Sequence, residues 1–358
     1  MLPGFLAPLL CRLFIFYKGE SPVNFSVFPV GQCLFCCPVN LDRDIQYQLY
    51  TRRNPTIPQT IQPNNPCSLR RSNFNGSQPT VLYIHGYSER SPGISGASIK
   101  NAYLFRNNFN VILVDWSKLA PMPWYHKAVG NTRIVGPHVA STLRWLESIG
   151  AFNLRAVHVV GFSLGAEVAG FMGKALFPQR VGRITGLDAA YPLYMNTGAE
   201  GHLTAADAEF VDIIHTDGGV LGFPIPLGHA DFYPNGGMPP QPGCNVENVF
   251  AMGVNKIVNR FSKSSPRILR FRPQSHRLAL FPVTCSHNRA WRLYAESITD
   301  PAGFPASRCP KWRADLRVNC QWSPDALMGY AATRRLRGMY YLRTNANSPF
   351  ARNITGYC

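Results

Sequence analysis

The spacing of hydrophobic and polar positions changes period several times along the chain. Residues 45–50 (IQYQLY) alternate, as in a strand with one face on a core. Residues 79–85 (PTVLYIH) read as a strand running into Gly86-Tyr87. Asn110–Asp115 (NVILVD) is so nearly continuous in apolar residues that burial on both faces is expected. A helical stretch near 98–105 separates these two strands. A longer helix is predicted over 128–148, where Val135, Val139, Leu143 and Leu146 recur at helical spacing. Two further strands are expected at Arg183–Leu187 and 210–215. Strands alternating with helices in this order indicate an α/β fold with a mostly parallel sheet covered on both faces. Residues 1–40 have no sustained period and are expected to be irregular, with Cys33, Cys36, Cys37 and Pro38 suggesting a stapled segment.

Between the long helix and the Arg183 strand lies residues 156–176, AVHVVGFSLGAEVAGFMGKAL. A β-leaning run enters Gly161-Phe162-Ser163-Leu164-Gly165, and a helix-capable run of small residues follows at once. Strand, Gly-x-Ser-x-Gly turn and helix together make a nucleophile elbow. A serine hydroxyl is a weak nucleophile unless it is lifted into the open beside a base. The sharp turn lifts it, and glycine at the flanks lets neighbouring backbone pass closely. The helix start presents free N–H groups and partial positive charge to an oxyanion formed there.

In chains with this elbow the order is Ser, then Asp or Glu, then His. Asp188 and Asp217 both follow strands and qualify as the acid, and spacing alone does not choose between them. Asp212 falls inside a strand and is expected to be a surface or packing residue; Asp115 precedes Ser163 and is expected to be structural. Among the downstream histidines, His287 stands two residues after Cys285, where a disulfide would pin an active-site loop. His215 and His229 read as structural, and His276 as solvated. The loop after the 79–85 strand is expected to donate one oxyanion amide, from Tyr87, with Leu164 supplying the other.

Composition changes this picture in two ways. The formal net charge is +17, and it is concentrated late: residues 245–284 carry seven Lys/Arg against one Glu, and 285–358 carry eleven against four Asp/Glu. That basic last third suits an anionic surface, such as a lipid headgroup layer or a heparin-like polysaccharide. No nucleic-acid motif accompanies the charge, so nucleic acid is not expected as a partner. Ten cysteines without zinc spacing, and Asn-x-Ser/Thr sequons at Asn24, Asn75 and Asn353, point to a secreted protein. The apolar run from Phe5 to Tyr17, interrupted by Arg12 and without a basic segment before it, reads as an imperfect or mispredicted signal peptide.

The motifs LYTRRNP (49–55), IHGY (84–87), VDW (114–116), NTRIVG (131–136), GFSLGAEVAGF (161–171) and GRITGLDAAYP (182–192) follow in order. They continue with FVDIIHTDGG (210–219), GHADFYPNGG (228–237), CSHNRAWRLYAESI (285–298) and YYLRTNANSPFAR (340–352). On these motifs the chain resembles the pancreatic lipase family of secreted lipases and phospholipases A1, most closely its insect members. The resemblance covers about residues 40–352. It implies an α/β-hydrolase fold, with Ser163 as nucleophile, Asp188 as acid, His287 as base, and the Tyr87 and Leu164 amides as oxyanion hole. It also implies a Cys244–Cys285 disulfide at the base of a lid and a Cys309–Cys320 pair, leaving Cys11, Cys33, Cys36, Cys37, Cys67 and Cys358 unassigned. Phe162 and Glu167 stand where the family often has histidines. Glu200 and Asp207 are too few acidic ligands to expect the calcium site of some members, and no metal or cofactor is expected.

The expected organisation is a targeting or irregular segment at 1–40, then a lipase domain at 41–358 with a lid insertion at about 245–284. No C-terminal β-sandwich is expected. Within the insertion, Val249, Phe250, Met252, Val254, Ile257 and Val258 beside Lys256 and Arg260 form an amphipathic pattern suited to a lipid interface. The expected activity is hydrolysis of lipid acyl esters, as in triacylglycerol lipases. The short stretch between Asp217 and Gly228 instead favours phospholipase A1. A non-catalytic, yolk-type lipid-binding protein is the reading from another class.

Overall fold

The computed structural model describes residues 11–18, 21–244, 281–309 and 322–353. The expected lid pattern lies outside these residues, as do His276, Cys320 and Cys358. Near the N-terminus, β1 (Leu13–Lys18) and β2 (Ser21–Ser26) form an antiparallel hairpin. Eleven further strands form one sheet. They are β3 (Gln46–Tyr50), β4 (Gln59–Ile61), β5 (Thr80–Ile84), β6 (Asn110–Asp115), β7 (His158–Phe162), β8 (Arg183–Leu187), β9 (Val211–Ile214), β10 (Ala230–Pro234), β11 (Pro305–Arg308), β12 (Pro324–Leu327) and β13 (Gly338–Leu342). Their order across the sheet is β12-β11-β13-β10-β9-β8-β7-β5-β6-β3-β4. From β6 through β5, β7, β8, β9 and β10 to β13 every pairing is parallel. Antiparallel strands close both edges. This is the α/β-hydrolase fold.

The near-continuous apolar strands divide their side chains between two cores. Leu82, Ile84, Ile112 and Val114 face one cluster, and Val81, Tyr83, Val111 and Leu113 face the other. A period of two on a fully buried strand requires this division. Four helices, α1 (Gly93–Arg106), α2 (Tyr125–Ser148), α3 (Leu164–Leu176) and α4 (Phe281–Thr299), cover the two faces. The first cluster lies under α2, through Val135, Val139 and Leu143, and under α3. The second lies under α1 and α4. The tyrosine hydroxyls of Tyr103 on α1 and Tyr294 on α4 meet at 2.6 Å inside it.

Three expectations meet a different structure. Residues 13–26, expected to be irregular, form the β1–β2 hairpin, with Phe16 edge-on to Phe25. The hairpin is held from outside itself. Asn24 and Ser26 exchange backbone hydrogen bonds with Met122, and the Trp124 indole N–H donates to the Ser26 carbonyl. Asp212 is fully buried and pairs bidentately with the Arg183 guanidinium at 2.7 and 2.8 Å, so it is neither at the surface nor merely packing. His287 sits in helix α4 and not on a loop. The N-terminal cysteines pair as Cys11–Cys37 and Cys33–Cys36, while Cys67 is an exposed free thiol.

Candidate active site

Strand β7 ends at Phe162, and Ser163 takes φ 54° and ψ −122°, a conformation that a side-chain-bearing residue holds only under constraint. The constraint is visible on both sides. The Ser163 amide donates to the Leu187 carbonyl at 3.0 Å, and its carbonyl accepts from Ala166 and Ala190. A Cβ at Gly165 would lie 2.6 Å from the His85 carbonyl, and one at Gly161 would lie 2.6 Å from the Ala166 amide. Glycine is therefore required at both flanks of the turn. Gly86 approaches from the neighbouring strand end: its Cβ would stand 3.1 Å from that of Ser163.

Asp188 follows β8, the next strand of the sheet, and is itself in the left-handed region at φ 46°. Its Oδ1 accepts from the Thr216 and Asp217 amides at 2.7 and 3.0 Å, and its Oδ2 lies 2.6 Å from His287 Nδ1. A carboxylate held by two amides is an acceptor, so Nδ1 carries the imidazole proton and Nε2 is left as the basic nitrogen. The Phe162 ring packs on the imidazole with centroids 4.7 Å apart. The aromatic that replaces a family histidine thus gives His287 a surface to rest on.

The Asp188 and Asp217 alternatives belong to one cluster: ligand atoms of Asp188, Asp217 and His287 all lie within 4.8 Å of one another. Asp217 accepts from the Leu221 amide, and its other oxygen has no partner among the described residues. Burial, and then the charge of Asp188, raise the Asp217 carboxyl far above the usual range, so it is neutral near pH 7. Two buried carboxylates this close do not both ionise. Asp188, with its two amides and the imidazole, is the one equipped to hold the charge. The three groups could converge on a cation, but His287 Nδ1 and both Asp188 oxygens are already engaged.

The loop carrying Tyr87 is clamped by residues that sequence reasoning did not assign to it. Trp116 donates its indole N–H to the His85 carbonyl at 2.9 Å and its amide to His85 Nε2 at 3.2 Å. Asp115 stands 3.4 Å from the same nitrogen. Glu89 accepts the Gly86 amide at 2.8 Å, and Asn24 donates its amide to the Ser88 carbonyl and its side chain to the Glu89 carbonyl. The VDW and IHGY motifs were visible signals for the first pair; the Asn24 and Glu89 contacts had none. Tyr87 and Leu164 have amides without a hydrogen-bond partner among the described residues.

The remaining expected positions fall outside this cluster. His215 bonds Asp231 and the Phe223 carbonyl, and His229 accepts the Val211 amide. Cys244 is disulfide-bonded to Cys285, two residues before His287, and Cys309 is also disulfide-bonded. Asp207 is occupied by Lys174 and Thr204, and Glu200 is exposed.

The family model described as Lipase matches residues 38–269. The chain is 33% identical to hepatic triacylglycerol lipase of Mus musculus, over 86% of this chain and 59% of that protein. It is 41% identical to lipase member H-A of Xenopus laevis, over 81% and 58%. An inactive pancreatic lipase-related protein 1 of Canis lupus familiaris is also similar, at 32% over 86% and 64%. The chain spans about three-fifths of the length of the curated relatives it matches. Among solved structures, an acetyl xylan esterase from Aspergillus awamori aligns over 48% of this chain and 66% of that one, with 17% identity and a TM-score of 0.30. With a family model matched over more than half its length and relatives above 30% identity over most of it, the chain belongs to the Lipase family.

Proposed function

We propose that the protein hydrolyses carboxylic esters of lipids through an acyl-enzyme on Ser163. The observation that carries this reading is the His287–Asp188 contact at 2.6 Å beside the constrained Ser163 turn. His287 Nε2, the unprotonated nitrogen, takes the Ser163 hydroxyl proton as Oγ attacks the acyl carbonyl. The Tyr87 and Leu164 amides receive the oxyanion, at the start of α3 where the helix dipole adds to them. The protonated imidazole then gives its proton to the departing alcohol. Water attacks the acyl-enzyme by the same route in reverse, releasing the fatty acid. Asp188 stays ionised and fixes the imidazole tautomer.

Relatives named triacylglycerol lipase support a triacylglycerol-lipase-like specificity. Because an inactive relative is equally similar, family membership alone does not carry the activity. The retained Ser163, Asp188 and His287 speak for catalysis and against a yolk-type lipid-binding role. The short connection after Asp217, which folds Gly222 against the Asp188 carboxyl, favours a second reading, cleavage of the sn-1 ester of glycerophospholipids. The disulfides support action outside the cell, and the basic last third supports attraction to anionic surfaces. Purified protein offered tributyrin, triolein and phosphatidylcholine beside a Ser163→Ala control tests the assignment. Hydrolysis undiminished in the control would overturn it, and the preferred substrate separates lipase from phospholipase.

A further inference from the structure

Six large apolar side chains that remain exposed lie between residues 14 and 35. Phe14, Ile15, Phe16, Val27, Leu34 and Phe35 are each 43–68% exposed. A strand that only separates a core from water alternates apolar with polar residues. Strand β1 does not: Phe14 and Phe16 project to one face and Ile15 to the other. Leu34 and Phe35 sit inside the small Cys33–Cys36 loop, and Cys11–Cys37 ties that loop to the start of β1. A lone two-stranded hairpin is marginal in water. Two disulfides and a set of external hydrogen bonds therefore hold a water-exposed apolar module in place.

The module is attached at the mouth of the proposed site. Asn24 on β2 bonds the carbonyls of Ser88 and Glu89, the two residues after Tyr87. Ser26 accepts from Trp124, whose neighbour Tyr125 packs edge-on to Tyr87 at 5.1 Å and donates to the Pro192 carbonyl. Past Pro192, Leu193 and Met195 are again exposed, as is Ile225 in the loop after Asp217. Exposed apolar groups thus flank both ends of the hydrogen-bonded chain that holds the Tyr87 loop. Exposed apolar surface gathered on a stapled module beside a site marks an interaction surface. Its attachment through Asn24 to the Tyr87 loop of a site proposed to act on lipid esters selects the occupant.

We propose that the stapled N-terminal hairpin is an interfacial anchor, whose Phe14, Phe16, Leu34 and Phe35 enter the outer layer of a lipid surface and seat the Ser163 mouth on it. The choice of lipid as occupant rests on the lipid-ester reading; the vesicle measurement does not depend on turnover. Full-length protein carrying Ser163→Ala, with and without Phe14→Ser, Phe16→Ser and Phe35→Ser, is sedimented with phosphatidylcholine vesicles in low and molar salt. Loss of the three aromatics is expected to weaken partition by at least about tenfold in both salts, because the contact is apolar. With Ser163 restored, the same variant keeps its turnover of a water-soluble short-chain ester and loses turnover on emulsified lipid by a similar factor. Leu34→Ser with Phe35→Ser, both on the disulfide loop, is expected to give a smaller drop and serves if the triple variant does not fold. Unchanged partition in the variants overturns the anchor, as does a parent dimer that dissociates in the variant, which would assign the patch to a second copy. Absence of soluble-ester turnover in the unmodified protein would overturn the catalytic reading and leave the vesicle result standing.

Discussion

Glu167 lies one helical turn after Ser163 and is completely buried. Its Oε2 accepts the Leu203 amide at 2.8 Å, while Oε1 has no hydrogen-bond partner among the described residues. Burial raises its carboxyl from 4.5 to about 8, against smaller opposing effects of the Leu203 amide, Lys174 and Arg133. The native chain therefore keeps a proton on Glu167 that the unfolded chain has released. Between those two values the native state binds more protons, so stability falls as pH rises. The stabilisation is fully present below the unfolded value and is lost as pH climbs to the folded one. At about 1.4 kcal/mol per pH unit, the loss is roughly 3 kcal/mol by pH 7 and roughly 5 kcal/mol above the folded value.

Glu167→Gln keeps the shape and the acceptor for Leu203 without a titrating group. Its stability is expected to match the parent near pH 4 and to exceed it by roughly 3 kcal/mol at pH 7. Urea unfolding followed by circular dichroism across that range, with disulfides intact, measures the difference. Asp207, Lys174, Arg133, Tyr125 and Tyr194, which face Glu167, are common to both proteins and cancel in it. A difference that stays constant with pH, or a variant less stable than the parent at pH 7, would refute the assignment of a neutral buried acid.

Asp188→Asn should lower kcat on a soluble ester by about four orders of magnitude with little change in KM, because the amide favours the wrong imidazole tautomer; a loss under tenfold would point to another acid. Asp212→Leu should cost about 3–5 kcal/mol in thermal or urea unfolding by leaving Arg183 buried and unpaired, and adding Arg183→Met should recover most of it. In secreted material, peptide mapping should find a glycan on exposed Asn75 and none on Asn24. The Asn24 side chain is buried and donates to Glu89 at 2.6 Å, so a glycan there would contradict the docked hairpin.

Much of this architecture was legible in local pattern. The bounds of Asn110–Asp115 and Arg183–Leu187 could be read directly, since apolar runs between polar or glycine-containing segments have few alternatives. The elbow was legible for a different reason: close packing against Ile84, His85 and Ala166 excludes any Cβ at its two glycines. Contacts between distant segments were not legible. Asp212 looks like a strand-facing polar residue until Arg183, twenty-nine positions earlier, closes on it. Asp188 and Asp217 are equivalent by spacing, and their difference is which oxygen meets His287. The helix around His287 was hidden by the cysteine beside it, which suggested a pinned loop. The hairpin was hidden because its apolar run also reads as a leader sequence.

The most direct test of the central claim is covalent. Incubation with a p-nitrophenyl alkylphosphonate, followed by intact-mass analysis and peptide mapping, should place a single adduct on Ser163. The adduct should be absent in Ser163→Ala and should form far more slowly in His287→Ala. Labelling at another residue, or ester hydrolysis that persists in Ser163→Ala without labelling, would contradict the account.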